Sequence, residues 1–402
     1  MRTPAHRTRT AVLLAAMLAT LLVSPAIAAQ HASPAFSPQP AGDGRPALQA
    51  TLDQMVNQNL VVWASSVVED GAGTWAGGAG VRDLLTGTPA LRDGYFRMAS
   101  NTKMMVATTV LSLVADGKIG LDEPVGKYLP GLLPAGDEIT VRHLLSHRSG
   151  IYDYPQILFD NGSLRGSTYV YWTRFRTYTP QELIDLANQK GQQFEPGSKL
   201  SYSNTNYVVL GQLIEKVSGR SWRAMVTERV VKKAGLSTVR FPGTNIILPW
   251  PHNRGYLTDL DVTTADVTEL NPSFADAAGE AIAARGDVHE FLQALLAGKL
   301  IPQAQLGQML LPGEGLGITT LPLPCGGAIH GHTGAIPGYV SAVFRSQDNT
   351  KGMTLVAGMD KLYDQNTVGQ MTGLVNEYLI QFFCPSTNSA TTHQTPPLTV
   401  IR

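Results

Sequence analysis

The chain has 402 residues, of which 43% are hydrophobic, so it is long and apolar enough to bury a sizeable core. Lys and Arg together number 31, as do Asp and Glu, and there is no basic stripe of the kind that indicates a nucleic-acid-binding protein. Only 15% of the residues are charged, against about 25% in a typical soluble domain, which favours an exported protein.

The N-terminus has the layout of a signal peptide. Three Arg residues precede an apolar run at residues 11–23, and a small-x-small cleavage site follows at residues 26–28. Pro25 argues against the alternative of an uncleaved anchor, because the run before it is already shorter than the roughly 20 residues that a spanning helix needs. We therefore expect a signal peptide at residues 1–28 and a secreted, extracellular protein without a membrane anchor after cleavage.

A linker and a first group of strands follow. Residues 29–46 are rich in Pro, Ser and Ala and lack an apolar period, which predicts a disordered linker. Apolar spacing then predicts a helix at residues 48–60. Runs rich in β-branched and aromatic residues, separated by Gly-rich turns, predict strands at residues 60–70, 73–84 and 95–99.

The middle of the chain is mainly helical in pattern, and strands return near its end. Helices are predicted at residues 102–116, 141–145, 180–190, 206–218, 222–231 and 288–297. Strands are predicted at residues 315–323, 339–346 and 352–359, and a last amphipathic helix at residues 368–383. The Thr-, Pro- and Ser-rich tail, residues 385–402, is predicted to be disordered.

This order of elements predicts one large α/β (α+β) domain at residues 47–384. Strands at both ends with helices between them predict an α/β lobe formed by residues 47–98 and 300–384, and a helical lobe formed by residues 99–299. The only two Cys residues, Cys325 and Cys384, would reach an oxidising compartment, which favours a disulfide over the alternative of two buried thiols.

The first catalytic candidate lies in the segment RMASNTKMM, the only place in the chain where a Ser is followed three residues later by a Lys. If a helix begins at Ser100, Lys103 lies on the same face and can act as the base for the Ser100 hydroxyl. The pKa of Lys103 would have to fall from about 10.4 toward about 7. The alternative is an ordinary N-cap Ser followed by a surface Lys.

The second candidate is the turn Tyr202-Ser203-Asn204, which precedes an apolar helix. The phenol of Tyr202 can handle a proton, and the amide of Asn204 can hydrogen-bond a substrate amide. The alternative is that Tyr202 packs in the core while Asn204 or Thr205 caps the helix.

The third candidate is the stretch AIHGHTGA at residues 328–335, which can be a metal half-site or a catalytic strand. In a strand, the triplet His332-Thr333-Gly334 lets an extended substrate pair with the backbone, and Gly334 leaves room for close approach. His330 would point to the same face as His332. We interpret His332 as the substrate-side residue and His330 as a bystander at the edge of the cleft.

Other polar and aromatic residues carry weaker indications. His143 and His147 lie four residues apart and could ligate a metal, but no third ligand is obvious nearby, so we expect neither a metal nor a cofactor. Trp172 and Phe175, like Tyr152, can wall the cleft or pack in the ordinary way. Asp153 and Asp160 show no partner that the sequence identifies.

In this order the three motifs resemble the signature of the serine β-lactamase and penicillin-binding-protein superfamily, which is Ser-x-x-Lys, then Tyr-x-Asn, then Lys-Thr-Gly or His-Thr-Gly. Segments around them, including GKIGLDEPVGKYLP, ITVRHLLSHRSGI and HTGAIPGY, are similar to class C-type members, and the resemblance covers residues 48–384. The motif pairing is most similar to that of secreted actinobacterial D-alanyl-D-alanine carboxypeptidases. A Cys shortly before the third motif also occurs there, which strengthens the expectation of a disulfide.

The resemblance implies the β-lactamase/DD-peptidase fold, an antiparallel sheet flanked by helices plus a helical lobe, with the active site between them. It also implies that Ser100 attacks the carbonyl of the penultimate D-Ala while Lys103 takes the Ser100 proton. Tyr202 would relay that proton to the leaving D-Ala. Water would then hydrolyse the acyl-enzyme.

The same resemblance assigns substrate-binding roles. The backbone N–H groups of Ser100 and Ala335 would hold the oxyanion, and Asn204 would hold the acyl-side amide. Thr333 with His332 would address the leaving group and its carboxylate. The implied partners are peptidoglycan peptides and, as covalent ligands that leave slowly, β-lactams, bound by a monomer.

One departure from the pattern keeps alternatives open. Relatives can place an Arg on the strand before the third motif, where this chain has Gly-Ile-Thr-Thr at residues 317–320. A D-stereospecific peptidase, or a β-lactamase-like esterase on the same scaffold, is therefore an alternative to the carboxypeptidase. A catalytically silent protein that binds muropeptides or β-lactams is a third, against which the three intact motifs argue.

Overall fold

The computed structural model describes residues 45–385 of the chain. The predicted signal peptide, nearly all of the predicted linker and the predicted tail beyond Pro385 lie outside the described residues. All described residues belong to one compact unit, so the predicted division into two lobes stays a prediction.

Most of the strands build one antiparallel sheet. The strands of the described region are β1 Trp63–Asp70, β2 Gly73–Asp83, β3 Thr88–Pro89, β4 Tyr95–Arg97, β5 Tyr256–Asp259, β6 Val262–Asp266, β7 Ile282–Ala284, β8 Thr319–Pro322, β9 Ala328–Ile336, β10 Tyr339–Ser346 and β11 Gly352–Gly358. The main sheet has seven strands in the order β3-β2-β1-β11-β10-β9-β8, and β4 with β7 and β5 with β6 form two small pairs. Strands from the two ends of the chain therefore meet in one sheet, as predicted.

Helices lie on both faces of the sheet and in the region between its two sets of strands. They are α1 Pro46–Asn57, α2 Thr102–Ala115, α3 Val141–Leu145, α4 Tyr154–Asp160, α5 Gly166–Tyr171, α6 Pro180–Asn188, α7 Thr205–Ser218, α8 Trp222–Val226, α9 Asp276–Gly279, α10 Arg285–Leu296, α11 Gln303–Met309 and α12 Gln365–Phe383. No helix within residues 45–385 has both the length and the apolar character needed to cross a membrane.

Alternating residues of the central strands pack into two separate hydrophobic cores, one on each face of the sheet. On β11, Leu355 and Ala357 pack against α1 and α12, whereas Val356 between them belongs to the core on the opposite face. Because side chains alternate between two buried faces of the sheet, nearly every residue in the sequence of this strand is apolar. α10 lies on the second face, where Arg285 donates to Ser65 Oγ of β1 at 2.7 Å.

Helix α2 is the centre of the larger core. Every residue from Thr102 to Leu113 is buried, so the helix has no solvent-facing stripe over this length. Helix α7 packs beside it and ends at Gly219, whose φ of 69° is the left-handed conformation that commonly terminates a helix. The first two predicted motifs lie at the N-terminal ends of these two helices.

Several elements differ from the prediction. The predicted helix at residues 222–231 changes into a π-helical turn at Thr227–Lys232, whereas α2 begins at Thr102 as predicted, with Ser100 in the turn before it. β5, β6 and β7 lie where only helical patterning was recognised. β5 and β6 meet in a tight hairpin through Leu260 and Asp261, which lacks the Asn-Gly or Asp-Gly pair that usually reveals such a turn.

The predicted disulfide between Cys325 and Cys384 is present, with Cα atoms 5.7 Å apart. It joins the connection between β8 and β9 to the C-terminal end of α12. The C-terminal helix is thereby bonded covalently to the edge of the sheet.

Candidate active site

Ser100 lies in a tight turn between β4 and α2. The 3-10 turn Ala99–Asn101 carries it, and the residue stays half-buried at the surface of the core. Ala99 has a φ of 49°, a left-handed conformation that costs a non-glycine residue about 1–3 kcal/mol. Surrounding contacts must therefore hold this turn in place.

Hydrogen bonds and a glycine hold the turn against the sheet. The Met98 N–H donates to the carbonyl oxygen of Ala281 at 2.8 Å, and Asn101 Nδ2 donates to Ser341 Oγ of β10 at 2.8 Å. A Cβ on Gly334 of β9 would come within 2.4 Å of the Met98 carbonyl oxygen. The close approach that Gly334 permits is thus made by the protein's own backbone, and the expected pairing of this strand with a substrate stays a prediction.

Lys103 lies one turn after Ser100 and is fully buried. Its Nζ donates to Ser100 Oγ at 3.0 Å, to Asn204 Oδ1 at 2.8 Å and to the carbonyl oxygen of Ala278 at 2.7 Å. Burial lowers the pKa of Lys103 to about 7, against the opposing effect of the Asp153 carboxylate. A surface Lys is therefore excluded, and the amine has the pKa that a general base needs near neutral pH.

Tyr202 contacts the same hydroxyl from the other side. Its OH donates to Ser100 Oγ at 2.8 Å, and its ring stacks on the imidazole of His147 with the centroids 4.2 Å apart. Burial raises the pKa of Tyr202 above its usual value, which keeps the phenol neutral and able to donate. Ser100 Oγ therefore lies between an amine and a phenol.

Asn204 lies between Lys103 and a buried carboxylate. Its Nδ2 donates to Asp153 Oδ1 at 3.1 Å, and its backbone N–H donates to the same oxygen at 2.6 Å. Burial raises the pKa of Asp153 to about 6. The amide expected to hold the substrate thus already has protein partners on both ends, because its Oδ1 accepts from Lys103.

The third motif lies on β9, beside the turn that carries the nucleophile. The His332 side chain is buried, and its ring centroid lies 6.4 Å from that of Tyr202. Burial lowers the pKa of His332 to about 4, so the imidazole is neutral at physiological pH. Thr333 and Ala335 are half-buried, and the pairing of β8 with β9 ends at Gly331, before the motif begins.

The two histidines of the AIHGHTGA stretch have different surroundings. His330 Nδ1 lies 2.9 Å from Thr320 Oγ1 on β8, its cross-strand neighbour, while His332 lies near Tyr202. His143 has a local role, since its Nδ1 accepts from the backbone N–H of Thr140 at the start of α3. Within residues 45–385 no group of three or more His, Cys, Asp or Glu side chains could hold a metal ion.

Helix α9 carries a site residue that sequence reasoning missed. The Ala278 carbonyl oxygen accepts from Lys103, and a buried ion-pair cluster holds this short helix. Arg223 pairs with Asp276 at 2.9 Å and with Glu280 at 2.6 Å. A backbone carbonyl 175 residues away along the chain carries no motif, so no spacing rule links it to Lys103.

His147 and Asp153 were also not assigned to the site from the sequence. His147 Nδ1 accepts from the backbone N–H of Ser203 at 3.2 Å, which sets its ring beneath Tyr202. Among the aromatic residues considered as walls of the cleft, the Trp172 side chain is 76% exposed, so it does not pack in the core. Its role as a wall of the cleft stays a prediction.

Comparison with known proteins decides the family. The Beta-lactamase family model matches residues 48–365, which is most of the chain and includes all three motifs. This chain belongs to the Beta-lactamase family. Membership agrees with the sheet, the flanking helices and the arrangement of Ser100, Lys103 and Tyr202 around one hydroxyl.

Three relatives within the family illustrate its range. A D-stereospecific amidohydrolase from Streptomyces sp. is 33% identical, with a TM-score of 0.75 over 84% of this chain and 98% of that one. A D-amino acid amidase from Ochrobactrum anthropi SV3 is 28% identical, with a TM-score of 0.69 over 83% and 97%. The penicillin-binding protein PbpX of Bacillus subtilis strain 168 is 28% identical over 71% of this chain, and the chain spans about two thirds of the length of the curated relatives it matches first.

Proposed function

We propose that this chain is a secreted serine hydrolase that cleaves the amide bond on the carbonyl side of a D-amino acid through an acyl-enzyme on Ser100. The observation that carries the proposal is the contact of Ser100 Oγ with both Lys103 Nζ and Tyr202 OH. D-stereospecificity is supported by the names of the two structural relatives, which resemble this chain over nearly their whole length.

Acylation begins with Lys103 as the base. Neutral Lys103 takes the hydroxyl proton while Ser100 Oγ bonds to the substrate carbonyl carbon, and the carbonyl electron pair moves to oxygen. The N–H groups of Ser100 and Ala335 hold the resulting oxyanion. Tyr202 cannot be the resting base, because its raised pKa keeps it protonated.

Collapse of the intermediate releases the leaving amine. The carbon–nitrogen bond breaks, the Tyr202 phenol gives its proton to the departing nitrogen, and the Lys103 ammonium returns a proton to the phenol oxygen. Water then attacks the ester on Ser100, with the same two groups removing its proton. A β-lactam would acylate Ser100 in the same way and deacylate slowly.

The charge near the third motif favours a neutral leaving group. Along β8 and β9 the only ionisable side chains are His330 and His332, and the His332 imidazole is neutral because its pKa is about 4. A free substrate carboxylate would lack a permanent positive partner on these strands. We therefore place internal D-peptides and D-amino acid amides ahead of peptides ending in D-Ala-D-Ala.

The D-alanyl-D-alanine carboxypeptidase is the second candidate. His332 and Thr333 can offer hydrogen bonds to a carboxylate even without a formal charge. The leaving groups of the two candidate reactions differ by one negative charge. A matched pair of substrates that differ only in this charge can therefore distinguish the two functions.

The deciding experiment uses one D-Ala-D-Ala peptide as the free acid and as the C-terminal carboxamide. We expect the purified protein to have the higher kcat/KM for the carboxamide, with no cleavage of the L-Ala-L-Ala carboxamide. A clear preference for the free acid would establish the carboxypeptidase instead.

A nucleophile variant and two further reagents complete that experiment. Ser100→Ala should abolish turnover and the covalent adduct with a penicillin, seen by intact mass. Turnover of a simple ester without cleavage of any D-peptide would favour the esterase. No turnover and no adduct on Ser100 in the unaltered protein would leave only a non-catalytic binding role.

A further inference from the structure

The orientation of the Asn204 amide is decided by its two neighbours. Oδ1 faces Lys103 Nζ at 2.8 Å, and Nδ2 faces Asp153, with Oδ1 of that carboxylate at 3.1 Å and Oδ2 at 3.3 Å. An ionised carboxylate can only accept hydrogen bonds, so the end of the amide that faces Asp153 must be the NH₂ group. The carbonyl end is left to face the amine.

This orientation controls where the amine can accept a proton. A neutral Lys103 has two hydrogens and one lone pair. Asn204 Oδ1 and the Ala278 carbonyl oxygen can only accept, so they take both hydrogens, and the lone pair is left for the Ser100 hydroxyl at 3.0 Å. A reversed amide would offer a donor to the lone pair and compete with the Ser100 proton.

We propose that Asp153 is a positioning residue for acyl transfer, which holds the Asn204 amide in this orientation and prevents its rotation, so that the lone pair of Lys103 points at Ser100. The inference rests on the proposed acyl-enzyme on Ser100. It assigns to Asp153 no contact with the substrate, since the carboxylate is buried and acts through Asn204.

Asp153 also supplies charge to the site. Its carboxylate opposes the fall in the pKa of Lys103 that burial causes. The other ionisable side chains around Lys103, namely His147, His332, Tyr202 and Tyr207, are neutral near pH 7, because burial lowers the pKa of each imidazole and raises that of each phenol.

The phenols beside Asp153 are neutral as well. Burial and the Asp153 charge raise the pKa of Tyr154, and the same charge contributes to the raised pKa of Tyr202. Removing the Asp153 charge should therefore lower the pKa of Lys103, because no other carboxylate contributes to its shift.

The backbone at Asp153 is held independently of its carboxylate. The Tyr154 N–H donates to Thr205 Oγ1 at 3.2 Å, and that hydroxyl donates to the carbonyl oxygen of Tyr152 at 2.6 Å. The Tyr154 OH donates to the carbonyl oxygen of Phe274 at 2.5 Å. Variants at position 153 should therefore keep the path of the chain.

The test measures the rate of Ser100 acylation by an activated ester as a function of pH. The variants are Asp153→Ala, Asp153→Asn, Asn204→Ala and the double variant Asp153→Ala/Asn204→Ala. Asp160→Ala is the matched control, because Asp160 is exposed at the other end of α4. Circular dichroism and melting curves report folding for each protein.

We expect Asp153→Ala to slow acylation by about 10- to 100-fold, with little change in ester KM, and the double variant to be no slower than Asn204→Ala. Asp153→Asn should restore much of the rate, since its side-chain oxygen can still accept from Asn204. It should also move the acidic limb of the pH profile down by about 0.5 to 1 pH unit. Asp160→Ala should match the unaltered protein.

Additive losses in the double variant, or an Asp153→Ala rate equal to that of Asp160→Ala, would overturn the inference. If Asp153→Ala fails to fold, the pH profile of Asp153→Asn decides alone, and an unmoved acidic limb counts against the role of Asp153. An unaltered protein that the ester acylates but that cleaves no D-peptide would contradict the proposed function while leaving this test intact.

Discussion

At the scale of the residue, the decisive property is the complete burial of Lys103. Burial removes the hydration that stabilises a Lys ammonium and therefore favours the neutral amine. The three oxygen acceptors around Nζ replace only part of that hydration. The result is a pKa of about 7, so both protonation states are accessible near neutral pH. An amine of this kind can take the Ser100 proton and later return it.

The first prediction concerns the pH dependence of catalysis. The active form is the neutral amine, so kcat/KM should rise by about tenfold per pH unit below about pH 7 and level off above it. Lys103→Arg should lose at least about 100-fold, because a guanidinium stays protonated and cannot accept the proton. An Arg variant with the activity and pH profile of the unaltered protein would contradict the role of Lys103.

The second prediction separates the roles of Tyr202 and Lys103. Tyr202→Phe keeps the ring that stacks on His147 but removes the donor to Ser100. Cleavage of an amide should fall by about 100-fold or more, since the leaving nitrogen needs a proton. Cleavage of a nitrophenyl ester should fall much less, because its leaving group departs as an anion. Equal losses on both substrates would show that Tyr202 does not act as the acid.

At the scale of the element, the close contact between β9 and the 3-10 turn sets the geometry of the site. Gly334 allows the strand to lie against Met98, and Asn101 ties the same turn to β10. The turn contains the strained Ala99, which shows that packing overrides local preference here. The nucleophile is therefore positioned by a strand more than 200 residues further along the chain.

The third prediction tests this contact. Gly334→Ala would place a Cβ 2.4 Å from the Met98 carbonyl oxygen, so β9 or the turn must move, and kcat should fall by about 100-fold through misplacement of Ser100. Gly369→Ala on α12 is the control, because nothing lies within 4 Å of a Cβ there. It should leave kcat unchanged and raise the free energy of unfolding by about 0.5–1 kcal/mol. Equal kcat values for the two variants would argue against the contact.

At the scale of the whole molecule, both chain ends of the domain are anchored to one sheet. α1 and α12 cover the same face, and the disulfide joins the end of α12 to the β8–β9 connection. Ala328, where β9 begins, lies about 20 Å from Gly334 along the strand. The disulfide is thus remote from the catalytic end of β9.

The fourth prediction follows from that separation. Replacing both Cys325 and Cys384 by Ser should lower the free energy of unfolding by about 2–4 kcal/mol, because the unfolded chain loses a cross-link. Activity at 25 °C should stay near that of the unaltered protein. Denaturant unfolding and steady-state kinetics on the same preparation would check both statements, and a large loss of kcat would show that the bond shapes the site.

Much of the fold could be predicted because its patterns are local. The strand at Tyr339–Ser346 and the helix at Val141–Leu145 have the predicted bounds, since apolar period and capping act within a few residues. The hairpin of β5 and β6 was missed, because its turn has no characteristic residue pair and tertiary packing decides its strands.

The sequence by itself determined the three motifs and the pairing of Ser100 with Lys103, since residues three apart in a helical turn have neighbouring side chains, and the 3-10 turn that carries Ser100 leads directly into α2. Only the tertiary structure decided what surrounds that pair. Asp153 holds the orientation of the Asn204 amide, although the two residues are 51 positions apart in the sequence. The Ala278 carbonyl oxygen accepts a hydrogen bond from Lys103, 175 positions away. Such contacts depend on how helices and strands pack, and the buried environment that lowers the pKa of Lys103 exists only once they have done so.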